Sequence, residues 1–185
     1  MRSLQRVCIF CGSSRDVAQP YVDAAAAVAT ALASAGIGIV YGGGDRGLMG
    51  VVASTALACG ATVTGVMPRG LFTGIGSPAG GLTSLVEVDS MHIRKETMYA
   101  MSDGFVGLPG GLGTLEEVAE IATWAQLGLH AKPIVLLDLD GFWSPLLAWL
   151  DGAVARGFVT PGNRAIIASV TSAGEVLPGL RTYGR

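Results

Sequence analysis

The chain has 185 residues, half of them apolar and 14% charged, with a formal net charge of −2. That length makes one domain able to bury roughly 70% of its unfolded-state surface without disulfides or metals as staples, and the composition excludes a disordered chain. The near-neutral charge offers no general attraction for nucleic acid, so a large polyanion is not expected as a partner.

The opening MRSLQRVCIF runs directly into a strand, Arg6 to Phe10, without the apolar core and cleavage site of a signal peptide. No apolar run reaches the roughly 20 residues of a spanning helix, and the expected location is the cytoplasm. Cys8 and Cys11 form a CxxC at the end of this strand, but no second Cys or His pair completes a metal site. With Cys59 the count is odd, and a disulfide framework is not indicated. Next come a helix from Tyr21 to Ala35 opened by Pro20, a strand from Gly38 to Tyr41, a helix from Leu48 to Ala58 and a strand from Thr62 to Met67. The segment Pro68 to Leu82 breaks the rhythm with GLFTGIGSPAGG, read either as a mobile lid or as a plain surface excursion. Asp89 or Ser90 caps a helix in DSMHIRKETM, and strands Gly104 to Leu108 and Pro133 to Leu137 flank a helix from Leu115 to Leu127. Ser144-Pro145 starts one more helix, Gly157 stops it, and AIIASV makes a last short strand.

Runs such as IGIV, GFVGL and PIVLL are apolar on both sides of the pleat, as buried parallel strands must be. Strands alternating with Ala-rich helices predict an α/β fold, a Rossmann-like doubly wound parallel sheet in a single nucleotide-binding domain over residues 1–185. Ligands of such sheets collect at the carboxyl ends of the strands. Three loops there carry chemistry, CGSSRD, YGGGDRGLMG and PGGLGTLEE, and they are expected to meet over one pocket.

No GxGxxG and no GxxxxGK[ST] is present, so neither a dinucleotide fingerprint nor a P-loop is indicated. For Gly42 to Gly44 tight geometry and ligand approach are equally good readings. Gly110, Gly111 and Gly113 with Thr114 form a nest for one phosphate, with Thr114 expected to cap the helix. Glu116 and Glu117 follow within a turn, where acids suit the helix dipole but repel an anion. Arg94 and Lys95 stand near the start of their helix, where cations oppose the dipole. Either they are a solvated pair balanced by Glu96 and Asp89, or they face the ligand. His92 reads as a packing or capping residue. One ligand reconciles these oddities: a nucleoside 5′-monophosphate with its phosphate on the nest and its anomeric carbon about one helical turn away. A carboxylate there serves glycosidic cleavage, whose transition state is oxocarbenium-like.

These motifs also carry a resemblance. PGGLGTLEE at Pro109 to Glu117, the FCGSS opening, the YGGG loop, MHIRK at Met91 to Lys95 and TWAQLG at Thr123 to Gly128 resemble the Lonely Guy family of cytokinin riboside 5′-monophosphate phosphoribohydrolases. The resemblance implies hydrolysis of the N-glycosidic bond of N6-modified adenosine 5′-monophosphates, with plain AMP a further candidate, and neither a metal nor an organic cofactor. By the same resemblance Arg94 and Glu117 are the catalytic pair. Lys95, Gly110, Gly111, Leu112, Gly113, Thr114, Leu115, Glu116, Thr123, Gly43, Gly44, Ser14 and Met91 are the expected substrate contacts. Glu116 either binds ribose hydroxyls or serves only the helix dipole. A homodimer is implied as well. Plant members carry a Glu ahead of MHxRK where GLFTGIGSPAGG has no acid, which leaves the choice of base open. Members have also been labelled lysine decarboxylases, but no motif here indicates a pyridoxal-phosphate site. A different class, a non-catalytic nucleotide-binding or carrier protein of the same fold, is the alternative.

Overall fold

The computed structural model describes residues 4–70 and 79–183. In chain order the elements are β1 (Arg6–Phe10), α1 (Gln19–Ser34), β2 (Gly38–Tyr41), α2 (Gly47–Ala58), β3 (Val63–Pro68), β4 (Ser84–Val88), α3 (Met91–Ala100), β5 (Gly104–Gly107), α4 (Leu112–Gln126), β6 (Ile134–Leu137), a 3-10 turn (Leu139–Gly141), α5 (Ser144–Ala155), α6 (Pro161–Arg164), β7 (Ile167–Val170) and α7 (Ala173–Tyr183). Among the described residues seven strands pair in parallel in the order β4-β3-β2-β1-β5-β6-β7, as expected for a doubly wound sheet.

Alternation along each strand sends side chains to two separate cores. Val7, Ile9, Val106, Val135 and Leu137 pack with Ala25, Leu32 and Val52 under α1, α2 and α7. Cys8, Phe10, Phe105, Ile134 and Leu136 pack with Met98, Val118, Ile121 and Leu147 under α3, α4 and α5. Each fully buried Leu, Ile, Phe or Met side chain stabilises the fold by about 1.5–3 kcal/mol. The two cysteines of the CxxC therefore point into opposite cores, and both are free. Burial pushes both thiols up, which removes them as thiolate nucleophiles.

Four elements went unread in the sequence: the 3-10 turn, the one-turn α6, β4 and α7. β4 is an edge strand whose SLVEV is mostly exposed, so it lacks the two-sided apolar run. Helix α7 contains Gly174, Pro178 and Gly179, poor helix formers, yet Glu175 reaches back over its start: the carboxylate accepts from the Ser172 N–H at 3.0 Å and from the Ser172 hydroxyl at 2.9 Å. A Cβ on Gly179 would stand 3.5 Å from the Val135 and Val170 side chains, so the helix lies close against the sheet there. The part of the Pro68 to Leu82 excursion that runs over positions 71–78 lies outside the described residues.

Candidate active site

The topological switch falls at β1, between β2 on one side and β5 on the other, and opens a crevice beyond the carboxyl ends of these strands. The three glycine-bearing loops meet there. The Gly12 N–H donates to the Pro109 carbonyl at 3.0 Å, and the Gly12 carbonyl accepts from the Leu48 N–H at 3.0 Å. A cleft of about 390 Å³ lies between the first and third loops, lined by Ser13, Ser14, Gly110 and Gly111, with Tyr21 and Phe142 as its aromatic wall.

At the rim of this cleft α4 begins. Its N-cap is Gly111, whose extended backbone turns into the helix at Leu112. The first N–H groups of a helix have no acceptor within it, and its positive end favours an anion. Gly111, Leu112 and Gly113 are exposed, and a Cβ on Gly111 or Gly113 would stand in open space. Gly110 has the opposite reason to lack a side chain: a Cβ there would lie 2.1 Å from Thr114 Oγ1 and 2.9 Å from the Gly12 nitrogen. Thr114 is buried three residues into α4 and does not cap it, because the helix starts earlier than the glycines imply. For the same reason Glu116 and Glu117 fall in the second turn, where the dipole gives them little.

What holds these two acids is the start of α3. Ser90 caps that helix, its hydroxyl accepting from the Ile93 N–H at 3.2 Å. Arg94 follows and is buried, donating from Nη1 to Glu117 Oε1 at 2.8 Å and from Nε to the Val66 carbonyl at 3.1 Å. The guanidinium fits only because Gly42 is a glycine: a Cβ there would sit 2.2 Å from Arg94 Nη2. Side chains of Arg94 and Glu117 are 7% and 12% exposed, so this is a desolvated, charge-assisted pair. Burial pushes the Glu117 carboxyl above its ordinary value, and Arg94 opposes that by charge and hydrogen bond without cancelling it. Lys95 turns to the next face of α4 and pairs with Glu116 and, at 2.9 Å, with Glu120. Burial alone would lower its pKa; the two carboxylates reverse the sign and hold it above its ordinary value. The reading of Arg94 and Lys95 as a solvated pair balanced by Glu96 and Asp89 is thus overturned. Asp89 instead meets Arg69 at the surface, at 3.4 Å.

The remaining expected contacts spread outward. Ser14 is exposed on the cleft wall. Leu115 is exposed on α4, and Met91 and His92 are exposed at the start of α3. Thr123 is exposed, its hydroxyl donating to the Ala119 carbonyl at 2.8 Å, about 9 Å along the helix axis from Glu117. Gly43 and Gly44 are buried, and Gly43 takes a φ of +83°, a conformation L side chains rarely adopt, so its glycine serves the turn of the loop. Glu120 was not singled out in the sequence. Its signal was the spacing of four from Glu116, which puts both on one face of α4.

Comparisons with known proteins meet this geometry. A family described as "Possible lysine decarboxylase" matches residues 49–180. The chain is 46% identical to the rice (Oryza sativa subsp. japonica) protein named probable cytokinin riboside 5′-monophosphate phosphoribohydrolase LOGL3, over 97% of this chain and 84% of that one. It is 44% identical to the cytokinin riboside 5′-monophosphate phosphoribohydrolase LOG1 of Arabidopsis thaliana, over 97% and 84%. The chain belongs to the Lonely Guy family. Among solved structures it is similar to a molybdenum cofactor binding protein of Rippkaea orientalis (TM-score 0.72, 17% identity, 98% of each chain). It is equally similar to the molybdenum cofactor carrier protein of Chlamydomonas reinhardtii (TM-score 0.71, 18% identity, 98% of each chain), and at these identities both show the fold alone. The family's decarboxylase description implies pyridoxal phosphate on a lysine, and the residues present do not fit that group. The chain has two lysines. Lys95 is held charged between carboxylates, the reverse of what a Schiff-base lysine needs, and Lys132 lies over the Tyr99 ring, donating to the Tyr99 carbonyl at 2.8 Å.

Proposed function

We propose that this domain hydrolyses the N-glycosidic bond of N6-modified adenosine 5′-monophosphates, and of AMP itself, to the free base and ribose 5-phosphate. The observation that carries the reading is the buried Arg94–Glu117 pair standing five residues, or about 7.5 Å along the axis, beyond the exposed start of α4. The nucleotide's phosphate takes the N–H groups of Leu112, Gly113 and Thr114, with Ser14 and Gly110 to Gly111 on the cleft side. Its ribose then lies toward Glu117. As the bond from C1′ to the base nitrogen breaks, positive charge grows on the sugar and the Glu117 carboxylate stabilises it. Water attacks C1′, its oxygen forming the new bond. One of its protons leaves through Glu117, and the departing base gains a proton on nitrogen. Arg94 orients Glu117, Lys95 and Glu116 meet the sugar phosphate and its hydroxyls, and Met91, Leu115 and Thr123 border the base. Water is the only co-reactant needed.

The relatives' printed names support this substrate class, and among the described residues no helix is long and apolar enough to cross a membrane. We place the protein in the cytoplasm as a homodimer, in which a second copy covers Leu112, Leu127 and Leu129, all exposed on α4 and the turn after it. Light scattering at two concentrations tests the dimer. Incubation with AMP and with isopentenyladenosine monophosphate, followed by chromatography for free base, tests the activity. Release of base supports the reading; nucleotide bound but unchanged would leave a nucleotide-binding protein instead.

A further inference from the structure

Lys95 stands between two carboxylates of unequal standing. Both come from one face of α4, a turn apart, and both pair with its ammonium. The Glu120 side chain is 24% exposed and accepts from Lys95 at 2.9 Å, whereas Glu116 leaves 55% of its side chain in water. An exposed ion pair is worth little and exchanges its partner readily; a covered one on a rigid helix keeps its geometry. The charges do not balance either. Arg94 and Glu117 neutralise each other, while Lys95 with two carboxylates leaves one negative charge beside the place where a phosphorylated sugar must sit. That excess is tolerable if one carboxylate turns to accept hydroxyl donors from the ligand, and only Glu116 has the freedom to do so. A lysine on a flexible four-carbon stem would follow it unless something else held the ammonium.

We propose that Glu120 is a positioning residue: it fixes the Lys95 ammonium for the sugar phosphate so that Glu116 can release Lys95 when the nucleotide binds. This rests on the phosphoribohydrolase reading above. Glu120 reaches the substrate only through Lys95, so its removal weakens nucleotide binding and leaves the bond-breaking step at Glu117 intact.

The test uses the full chain as wild type, Glu120→Gln, Glu120→Asp, Lys95→Ala and the Lys95→Ala/Glu120→Gln double variant. Hydrolysis of AMP gives kcat and KM, and calorimetric titration with AMP gives Kd whether or not turnover occurs. Glu120→Gln raises KM and Kd about tenfold while kcat stays within about twofold, the split expected when ground-state binding is lost. Glu120→Asp recovers most of the loss. In the Lys95→Ala background Glu120→Gln adds nothing, because the two residues act as one unit. Unchanged KM and Kd in Glu120→Gln overturn the proposal, as does a full additional loss on top of Lys95→Ala, which makes Glu120 a contact in its own right. A wild type that binds AMP without hydrolysing it sinks the phosphoribohydrolase reading, while the Kd comparison still decides the role of Glu120.

Discussion

The two ends of the site meet opposite electrostatic demands. The cleft beside Gly110 is lined by glycine backbone, serine hydroxyls and an apolar wall with Tyr21 and Phe142, beside the start of a helix, and Asp16 is the one charged side chain among its described lining residues. The wall between α3 and α4 carries five charged side chains paired with one another, two cations against three carboxylates. In the proposed reaction the phosphate gains at the first end, where the first N–H groups of α4 have no acceptor within the helix. The developing cation gains at the second, where the Glu117 carboxylate stands largely desolvated. The difference explains why acids and an anion nest share one short stretch, Pro109 to Glu117, without conflict.

Breaking the wall has the largest expected effect. Arg94→Ala strands a buried carboxylate and opens a gap beside Gly42, so we expect a loss of about 3–5 kcal/mol in stability by denaturant unfolding, together with loss of base release. Breaking the cleft costs less in stability and shows in binding. Gly110→Ala drives a Cβ toward Thr114 and Gly12, and we expect a penalty of about 1–3 kcal/mol and a KM for AMP raised about tenfold.

The pH profile sharpens the comparison without breaking either end. In the proposed reaction Glu117 must be ionised to stabilise positive charge, and burial pushes its carboxyl above its ordinary value. The acid limb of kcat therefore lies above the ordinary carboxylate range, with activity lost as pH falls through that raised value. Arg94→Gln, which removes the opposing cation, moves the limb further up; a limb at or below the ordinary value contradicts the desolvated wall. The smallest effect lies outside the site. The capping hydrogen bonds from Ser172 and Thr171 lower the Glu175 pKa. Glu175→Gln then gives a slightly lower Tm above the ordinary carboxylate pKa, and the difference vanishes as pH falls through the lowered folded value. Turnover stays unchanged.

β1 and β2 could be read residue for residue, because strands buried on both faces have an apolar signature that needs no context. β4 and the start of α4 could not. An exposed edge strand has no such run, and Gly111 to Gly113 read as loop until Gly111 is seen as a cap with Leu112 already helical. Within the site, Arg94 and Lys95 stood out as cations against a dipole, but their compensating partners lie more than 20 residues away on another helix. That distance is why Glu120 escaped notice and why the balance by Asp89 and Glu96 was wrong. Gly42 was legible as a glycine needing a reason; the reason, room for the Arg94 guanidinium, belongs to tertiary packing.

The central claim is that the anion-binding end and the Glu117 end act on one nucleotide, and single-turnover chemistry in Glu117→Gln tests it most directly. With AMP bound, as verified by calorimetry, wild type should release adenine and ribose 5-phosphate. The Glu117→Gln protein should bind AMP with comparable affinity and release base at least about a hundredfold more slowly. Release at the wild-type rate by Glu117→Gln would contradict the account.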